Sequence, residues 1–131
     1  MSSWLPYLLV GAGGFLGANA RFLLARSIGA AIDTRFPVGT FVVNVSGSFL
    51  LGVLGAVLAD KLTPESDALR LALGVGFLGA FTTFSTFEAE TDALLQGGLG
   101  WVATLNVAAS VLVGLVALRA GLAAGKEWFS G

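Results

Sequence analysis

The sequence predicts an all-α integral membrane protein with four transmembrane helices. Hydrophobic residues make up 56% of the 131 residues and charged residues only 11%, whereas soluble domains carry about 25% charged residues. The apolar residues fall into four stretches of low charge, and a helix needs about 20 such residues to cross the hydrocarbon layer. Nearly all the charged side chains lie between these stretches, as expected for loops at the membrane surface.

The stretches of low charge set the approximate limits of each span within a single four-helix membrane domain. We expect spans at about residues 5–24, 37–59, 71–90 and 98–119. The charged segments 26–35, 60–70 and 88–92 are predicted to be loops. Pro37 and Pro64 suit helix entries, because a missing N–H costs least in the first turn. The loops are too short to hold a separate domain outside the membrane.

The distribution of basic residues leaves the orientation of the chain open. Four spans put Lys61, Arg70, Arg119 and Lys126 on one side, and Arg21, Arg26 and Arg35 on the other. Lys and Arg counts set orientation, and four against three is almost no bias. Either the chain inserts both ways and pairs with its own inverted copy as an antiparallel homodimer, or one loop decides a single orientation.

The composition excludes several functional classes. The chain has no Cys and no His, so it lacks the usual soft metal ligands, thiol nucleophiles and imidazole bases. A net charge of -1 without a basic run argues against nucleic acid as a partner. No GxxxxGK[ST] loop is present, so we expect no nucleotide. These features favour a protein that is not an enzyme.

Two of the spans contain small or polar residues at helical spacing. Asn44, Ser48 and Gly52 recur every four residues and share one helix face. This face is expected to point at protein or water, since an amide in hydrocarbon is costly without hydrogen-bond partners. The alternative to a functional role is that these residues only hold neighbouring helices together by hydrogen bonds. Gly13 and Gly17 form a GxxxG pair, which is typical of close helix packing.

The third span is a poor continuous helix. Residues 74–87 concentrate glycine, threonine and phenylalanine, and glycine and β-branched residues lower helix propensity. If the helix unwinds near residues 79–83, carbonyls are freed at membrane depth, where protein, water or a hard monovalent cation must satisfy them. The alternative is an unbroken helix whose Ser and Thr hydroxyls bond to the preceding turn.

Neutral donors dominate the polar groups inside the spans. Phe84 and Phe87, three residues apart, can turn their positive ring edges toward an anion, although lipid-facing rings are the commoner case. Asn106 and Ser110 add a polar stripe in the last span. No carboxylate lies well inside a span, and proton-coupled antiporters need one. Passive conduction of a small anion therefore matches these groups best.

Three segments carry a family resemblance. They read GGFLGANARF at 13–22, GTFVVNVSGSF at 39–49 and GFLGAFTTFSTF at 76–87. These segments resemble the signatures of the Fluc (CrcB) fluoride channel family across all four spans. The resemblance implies a fluoride-selective channel that exports fluoride passively and protects against its toxicity. It also implies an antiparallel, dual-topology homodimer in the lipid of the cell inner membrane, with a structural sodium ion at the dimer interface.

The same resemblance implies roles for individual pore residues. Phe84 and Phe87 would turn their ring edges to the fluoride path, and Asn44 would donate its amide to the ion. Further polar positions near the pore would be Thr40, Ser85 and Ser110. Asn106 stands where the family often has a tyrosine, and its amide can still donate.

The resemblance also places charged and cation-binding positions. Gly79 and Thr82 would offer backbone carbonyls to sodium at a break in the third helix, two from each subunit. Arg21 matches an arginine near the aqueous vestibule, and Glu90 matches an acidic position after the third segment. Ala80 replaces a usual glycine, but the preceding glycine is retained.

Two other functions compete with the channel. A small multidrug-type proton-coupled exporter shares the size and dual topology but needs a carboxylate in the first span, and residues 5–24 contain none. An accessory helix bundle would leave the polar Phe-Thr-Ser segment unexplained.

Overall fold

The structure is a computed structural model that describes residues 2–59, 61 and 63–129, and all the regular secondary structure in these ranges is helical. The elements in chain order are α1 Leu5–Ala31, α2 Val38–Leu58, α3 Pro64–Leu69, a π-helical segment Arg70–Leu78, α4 Gly79–Phe81, α5 Phe84–Gln96 and α6 Gly100–Phe129. Four helical stretches of the described chain are long and apolar enough to cross a membrane, namely α1, α2, Pro64–Gln96 and α6. The predicted number of spans is therefore confirmed.

The helices extend beyond the predicted spans. Helix α1 continues through residue 31 and so covers more than half of the predicted 26–35 loop, and α6 runs ten residues past the predicted end at residue 119. Helix α3 occupies much of the predicted 60–70 loop, of which residues 60 and 62 lie outside the described chain. A stretch of low charge marks only the part of a helix that lies in the membrane. The helix itself can continue beyond that part into water.

The predicted loop at residues 88–92 is wrong, because this segment is helical inside α5. Thr83 caps the helix start, and the acidic residues Glu88 and Glu90 lie in the second turn of the helix. Glu88 is exposed, and Glu90 is half-buried with a hydroxyl partner. Charge in this segment therefore accompanies a helix and does not end it.

The connection between α5 and α6 is a tight turn over residues 97–99. Gly98 has φ 73°, a left-handed conformation that glycine adopts without steric cost. The Leu99 amide donates to the Leu94 carbonyl at 2.8 Å, and the Gly98 amide donates to Leu95 at 3.1 Å; together these form a Schellman motif. Leu99 packs on the buried cluster of Leu94, Val102 and Ala103. The turn thus brings the start of α6 against the end of α5.

Two prolines begin helices, as predicted. Pro37 is the N-cap residue of α2, and Pro64 lies in the first turn of α3. Thr63 and Ser66 form a capping box at α3, which satisfies two amides that the helix cannot. The Arg70 guanidinium donates to the Leu58 carbonyl at the end of α2. This contact ties the start of the third span to the end of the second.

Helix α1 packs closely on the π-helical segment through glycine. A β-carbon at Gly13 would overlap the Ala72 carbonyl oxygen, and one at Gly17 would overlap the Phe77 carbonyl oxygen. From the other side, a β-carbon at Gly76 would lie 2.7 Å from the Val10 carbonyl oxygen. The predicted packing role of Gly13 and Gly17 is confirmed, and the contact fixes the third span against α1.

Helix α2 makes its most extensive contact with α6. Gly52 of α2 lies against the Leu118 carbonyl, and Gly121 of α6 lies against the Phe49 carbonyl. Neither position has room for a β-carbon. Because α2 also contacts α1 and the third span, it lies at the centre of the fold and presents side chains to every other span.

Candidate functional site

The third span contains two residues with extended backbone. Helix α4 ends at Phe81 and α5 begins at Phe84, while Thr82 (φ -81°, ψ 158°) and Thr83 (φ -150°, ψ 120°) lie between them. We call Thr82 and Thr83 the break. The amide and the hydroxyl of Thr82 both donate to the Leu78 carbonyl, at 3.1 and 3.0 Å. The last helical turn before the break is therefore stabilised by two hydrogen bonds.

Asn44 of α2 holds the second residue of the break. Its Nδ2 donates to the Thr83 carbonyl at 3.0 Å, and the Thr83 amide donates to its Oδ1 at 2.8 Å. Ser48, one turn later, donates its hydroxyl to the Asn44 backbone carbonyl at 2.8 Å. The carboxamide thus pairs with both polar backbone groups of Thr83, in the way that a neighbouring β-strand would.

The start of α5 is an open helix end at this break. The Thr83 hydroxyl accepts from the Thr86 amide at 3.3 Å, which is an N-cap interaction. The amides of Phe84 and Ser85 have no acceptor within the helix, because first-turn amides lack one. This end of a 13-residue helix carries partial positive charge, which favours an anion nearby.

A cleft of about 310 Å³ separates α2 from the third span, and we call it the amide cleft. Its lining residues are Asn44, Gly47, Ser48, Leu51, Gly74, Leu78, Gly79, Thr82, Thr83 and Phe84. In a continuous helix the Thr83 amide would donate to the Gly79 carbonyl, but here it donates to Asn44. The Gly79 carbonyl therefore lacks its usual helical donor.

A second cleft, of about 330 Å³, lies between α1, α2 and the start of α5, and we call it the basic cleft. Its lining residues are Ala18, Arg21, Phe22, Ala25, Arg26, Thr40, Val43, Thr83 and Thr86. The Arg21 guanidinium reaches the Thr82 carbonyl at 3.5 Å. Two arginines in one cleft attract anions, and Thr83 lines both clefts.

The two predicted pore phenylalanines meet on one face of α5. The Phe84 and Phe87 ring centroids lie 5.8 Å apart, with the planes tilted by 39°. Phe84 is 70% exposed and borders the amide cleft, whereas Phe87 is half-buried. Ser85 beside them is exposed. Within this chain the Phe84 ring has few partners, so one of its faces is available to another molecule.

A hydroxyl–carboxylate pair joins α2 to α5. The Thr40 hydroxyl donates to Glu90 Oε1 at 2.8 Å, and Thr40 is 6% exposed. Glu90 Oε2 is buried and has no hydrogen-bond partner among the described residues. Thr40 thus connects the basic cleft to an acidic group about two turns into α5.

Asn106 and Ser110 belong to a separate hydrogen-bonded chain. Asn106 Nδ2 donates to the Thr91 hydroxyl at 2.9 Å, the Thr91 hydroxyl donates to the Phe87 carbonyl at 2.7 Å, and Ser110 donates to Asn106 Oδ1 at 3.3 Å. Asn106 is 1% exposed. Neither Asn106 nor Ser110 lines the amide cleft or the basic cleft. Their polar stripe links α6 to α5 behind Phe87.

The structure therefore brings half of the ten predicted site residues to the break. Asn44, Gly79, Thr82 and Phe84 share the amide cleft, and Arg21 reaches it from the basic cleft. Sequence reasoning did not predict the contacts that two further residues make at the break. Thr83 carries the backbone that Asn44 binds, and a β-carbon at Gly47 would overlap the Thr82 methyl group. The only signal for Gly47 was its position three residues after Asn44, on nearly the same face of α2.

Side-chain ligands do not converge on a cation site within the part of the chain that the structure describes. No group of three or more His, Cys, Asp or Glu side chains is found there. Carbonyl oxygens are ligands that suit a hard cation, and Gly79 and Thr82, which both line the amide cleft, carry such oxygens beside and within the break. The donor chemistry of the break fits a small monovalent cation.

Comparison with known proteins gives consistent matches. The family model for CrcB-like protein, Camphor Resistance (CrcB), matches residues 8–122. A relative from Solibacter usitatus is 46% identical over 89% of this chain and 95% of its own length. A relative from Hydrogenovibrio crunogenus is 46% identical over 96% of this chain and 95% of its own length. A relative from Geobacter sulfurreducens is 47% identical over 87% of this chain and 91% of its own length. All three are named Fluoride-specific ion channel FluC.

Proposed function

The chain belongs to the CrcB family, and from that premise we propose that it forms a fluoride-selective channel through which fluoride leaves the cell passively. It is a multi-pass membrane protein with four membrane-capable helical stretches among its described residues. Its relatives are named as ion channels, which are not enzymes. The observation that carries the proposal is the open N-terminal end of α5, flanked by Phe84, beside the break.

Neutral donors suit the conduction of fluoride. Fluoride is small and strongly hydrated, so its water shell must be replaced by groups that admit the ion and still release it. The start of α5 offers backbone amides and the exposed Ser85 hydroxyl. Phe84 and Phe87 offer ring edges, which are positive without a full charge. We propose that fluoride passes these groups in single file.

The two clefts suit the aqueous approach to this path. Arg21 and Arg26 line the basic cleft and raise the local concentration of anions. Thr40 lies in the same cleft and would offer its oxygen-bound proton when it is not donating to Glu90. Asn106 and Ser110 would act from behind Phe87 by holding α5 in place.

A structural sodium ion at the break is part of the proposal. The carbonyls of Gly79 and Thr82 would hold it, with the same two carbonyls supplied by a second subunit. Such a cation would satisfy the Gly79 carbonyl, which lacks its helical donor, and add positive potential beside the fluoride path. This arrangement places helix carbonyl ends near a cation and a helix N-terminal end near an anion, as in transporters with discontinuous helices.

We further propose that two copies pair antiparallel in the cell inner membrane, surrounded by lipid. Phe84 is 70% exposed beside the amide cleft, and Leu51, which lines the same cleft, is 46% exposed. A second copy would cover this apolar surface and complete the cation site. The near balance of basic residues on the two sides, four against three, suits insertion in both orientations.

The multidrug-type exporter has no comparable support. A proton-coupled exporter needs an intramembrane carboxylate, and α1 Leu5–Ala31 contains none. The matched relatives are named fluoride channels instead.

Efflux from liposomes tests the channel. Purified protein is reconstituted, and fluoride loss is followed with a fluoride electrode beside chloride loss. Fast fluoride loss with little chloride loss is expected, and Phe84→Ile should slow it. Phe15→Ile is the matched control, because Phe15 of α1 is 69% exposed and lies outside both clefts. No fluoride flux from a folded protein would overturn the proposal.

A further inference from the structure

We propose that Asn44 is a positioning residue, which decides which carbonyls of the break face the amide cleft and so defines the cation site. This inference rests on the proposed channel and its cation. It differs from a direct role in which the Asn44 amide donates to the transported anion. The evidence is the pairing of both carboxamide atoms with the backbone of Thr83, at 3.0 and 2.8 Å.

The Oδ1 atom of Asn44 frees one carbonyl. In an unbroken helix the Thr83 amide would donate to the Gly79 carbonyl. Because Asn44 Oδ1 accepts from that amide instead, the Gly79 oxygen keeps its lone pairs for another partner. Gly79 is exposed on the amide cleft, so this partner can approach from outside the chain.

The Nδ2 atom of Asn44 occupies another carbonyl. It donates to the Thr83 oxygen at 3.0 Å, and the Leu78 oxygen already accepts from both the amide and the hydroxyl of Thr82. Among the described residues, the Thr82 oxygen accepts a hydrogen bond from the Arg21 guanidinium alone, at 3.5 Å, and a carbonyl has two lone pairs. Gly79 and Thr82 are therefore the cleft-lining positions around the break whose carbonyls retain capacity for a cation.

Asn44 has few hydrogen-bond donors left with which to bind an anion. A carboxamide NH₂ has two donor hydrogens, and one is used on Thr83. Its oxygen is an acceptor, which repels anions. Removing the side chain would release the Thr83 amide to the Gly79 carbonyl and would release the Thr83 carbonyl to the cleft. Both changes alter the cation ligands before they alter any anion contact.

Sodium-dependent thermal stability separates the two roles. The melting temperature of the detergent-solubilised protein is measured against sodium chloride concentration, at constant ionic strength with N-methylglucamine chloride. A ligand that binds only the folded state stabilises it by RT ln(1 + [L]/Kd), so a fit of this relation to the sodium titration gives a Kd, which we call the sodium midpoint. We expect Asn44→Ala to raise this midpoint by about tenfold or more, since two hydrogen bonds that fix the ligands are lost.

A second variant and a control accompany Asn44→Ala. Asn44→Ser is too short to reach Thr83 but stays polar, so it should shift the midpoint in the same direction if the alanine variant does not fold. Ser46→Ala removes a hydroxyl of the same helix that donates to the Val43 carbonyl and lies outside both clefts, and its sodium midpoint should stay within about twofold of the wild type, because the Asn44–Thr83 pair is intact.

The outcomes are distinguishable when fluoride efflux is measured on the same proteins. A wild-type sodium midpoint in the Asn44 variants, together with lost fluoride efflux, would overturn the inference and assign Asn44 to the anion. Fluoride efflux without any effect of sodium on the wild type would overturn the inference together with the cation site, while the channel stands. Absence of fluoride efflux from the wild type would refute the channel itself.

Discussion

Gly47 of α2 lies directly against Thr82 of the break. A β-carbon at position 47 would overlap the Thr82 methyl group and lie 3.2 Å from the Phe81 ring. Gly47 is buried and follows Asn44 by three residues, so the two residues contact the break from nearly the same face of α2. One residue binds Thr83 through its carboxamide, and the other makes room for Thr82 by having no side chain.

We predict that Gly47→Ala lowers fluoride conduction by more than the loss of folded protein would explain. The added methyl group must push Thr82 away from α2, and overpacking costs about 1–3 kcal/mol. A displaced Thr82 misplaces its carbonyl and the start of α5, so fluoride efflux should fall by about tenfold, equivalent to about 1.4 kcal/mol. Gly55→Ala is the control on the same helix, because its nearest neighbour is a flexible Leu122 methyl at 3.7 Å. Equal efflux from the two variants would contradict this account.

The number of spans and the main polar residues were predictable from the sequence. Stretches of low charge located four membrane-capable helices, because charged side chains are excluded from the part of every helix that lies in hydrocarbon. The same reasoning wrongly predicted a loop at residues 88–92, which are helical; there, Glu90 of α5 accepts a hydrogen bond from Thr40 of α2. Charge along a chain reports the distance from hydrocarbon, whereas helix ends depend on caps such as Gly98.

The detail of the break was not predictable. Glycine and threonine content indicated a poor helix near residues 79–83, but it did not place the two extended residues at Thr82 and Thr83. That position depends on Asn44, which is 39 residues away in sequence. A local pattern cannot contain such a contact, because the contact forms only when α2 packs against the third span.

Dual topology predicts that each end of the molecule is found on both sides of the membrane. The chain has no cysteine, so single cysteines can be introduced without background labelling. Asp33→Cys and Glu127→Cys mark exposed positions on opposite sides, and acidic residues contribute little to orientation. An impermeant maleimide should label about half of each variant in intact cells and the rest after permeabilisation, because four against three basic residues give almost no bias.

A single orientation gives a different labelling pattern. One variant would then be labelled almost completely in intact cells and the other almost not at all. That complementary result would exclude the antiparallel pair while leaving fluoride selectivity to be judged by efflux.

The pair of Thr91 and Asn106 should stabilise the packing of α5 on α6. Asn106 is buried and donates to the Thr91 hydroxyl at 2.9 Å. Thr91→Val leaves this amide without its partner, and an unpaired buried donor costs about 1–3 kcal/mol. In a double-mutant cycle with Asn106→Leu, measured by unfolding in mixed detergent micelles, we expect a coupling of about 0.6–1.7 kcal/mol.

A threonine elsewhere on α6 provides the control for this cycle. The Thr104 hydroxyl donates within its own helix, to the Gly100 carbonyl at 2.9 Å, and is exposed. Thr104→Val should therefore be additive with Asn106→Leu. Additivity of Thr91→Val with Asn106→Leu as well would show that the buried contact contributes nothing to stability.

Arg21 should accelerate fluoride entry through its charge. It lines the basic cleft with Arg26, and a cleft lined by one sign of charge raises the local concentration of the opposite ion. Arg21→Gln should therefore slow fluoride efflux at low ionic strength by about threefold to tenfold. The effect should shrink between about 0.02 M and 0.3 M salt, as the Debye length falls from about 20 Å to about 6 Å. Arg119→Gln, an exposed position on α6, is the control for the loss of one positive charge.

The salt dependence separates the charge of Arg21 from its hydrogen bond. The guanidinium also reaches the Thr82 carbonyl at 3.5 Å, a contact at the long limit for a hydrogen bond. If that contact holds the break, Arg21→Gln would slow efflux equally at every salt concentration, and Arg21→Lys, which keeps the charge but not the planar fork, would not restore it. If charge is the cause, Arg21→Lys should restore most of the efflux at low salt, where attraction of the anion acts over the whole cleft.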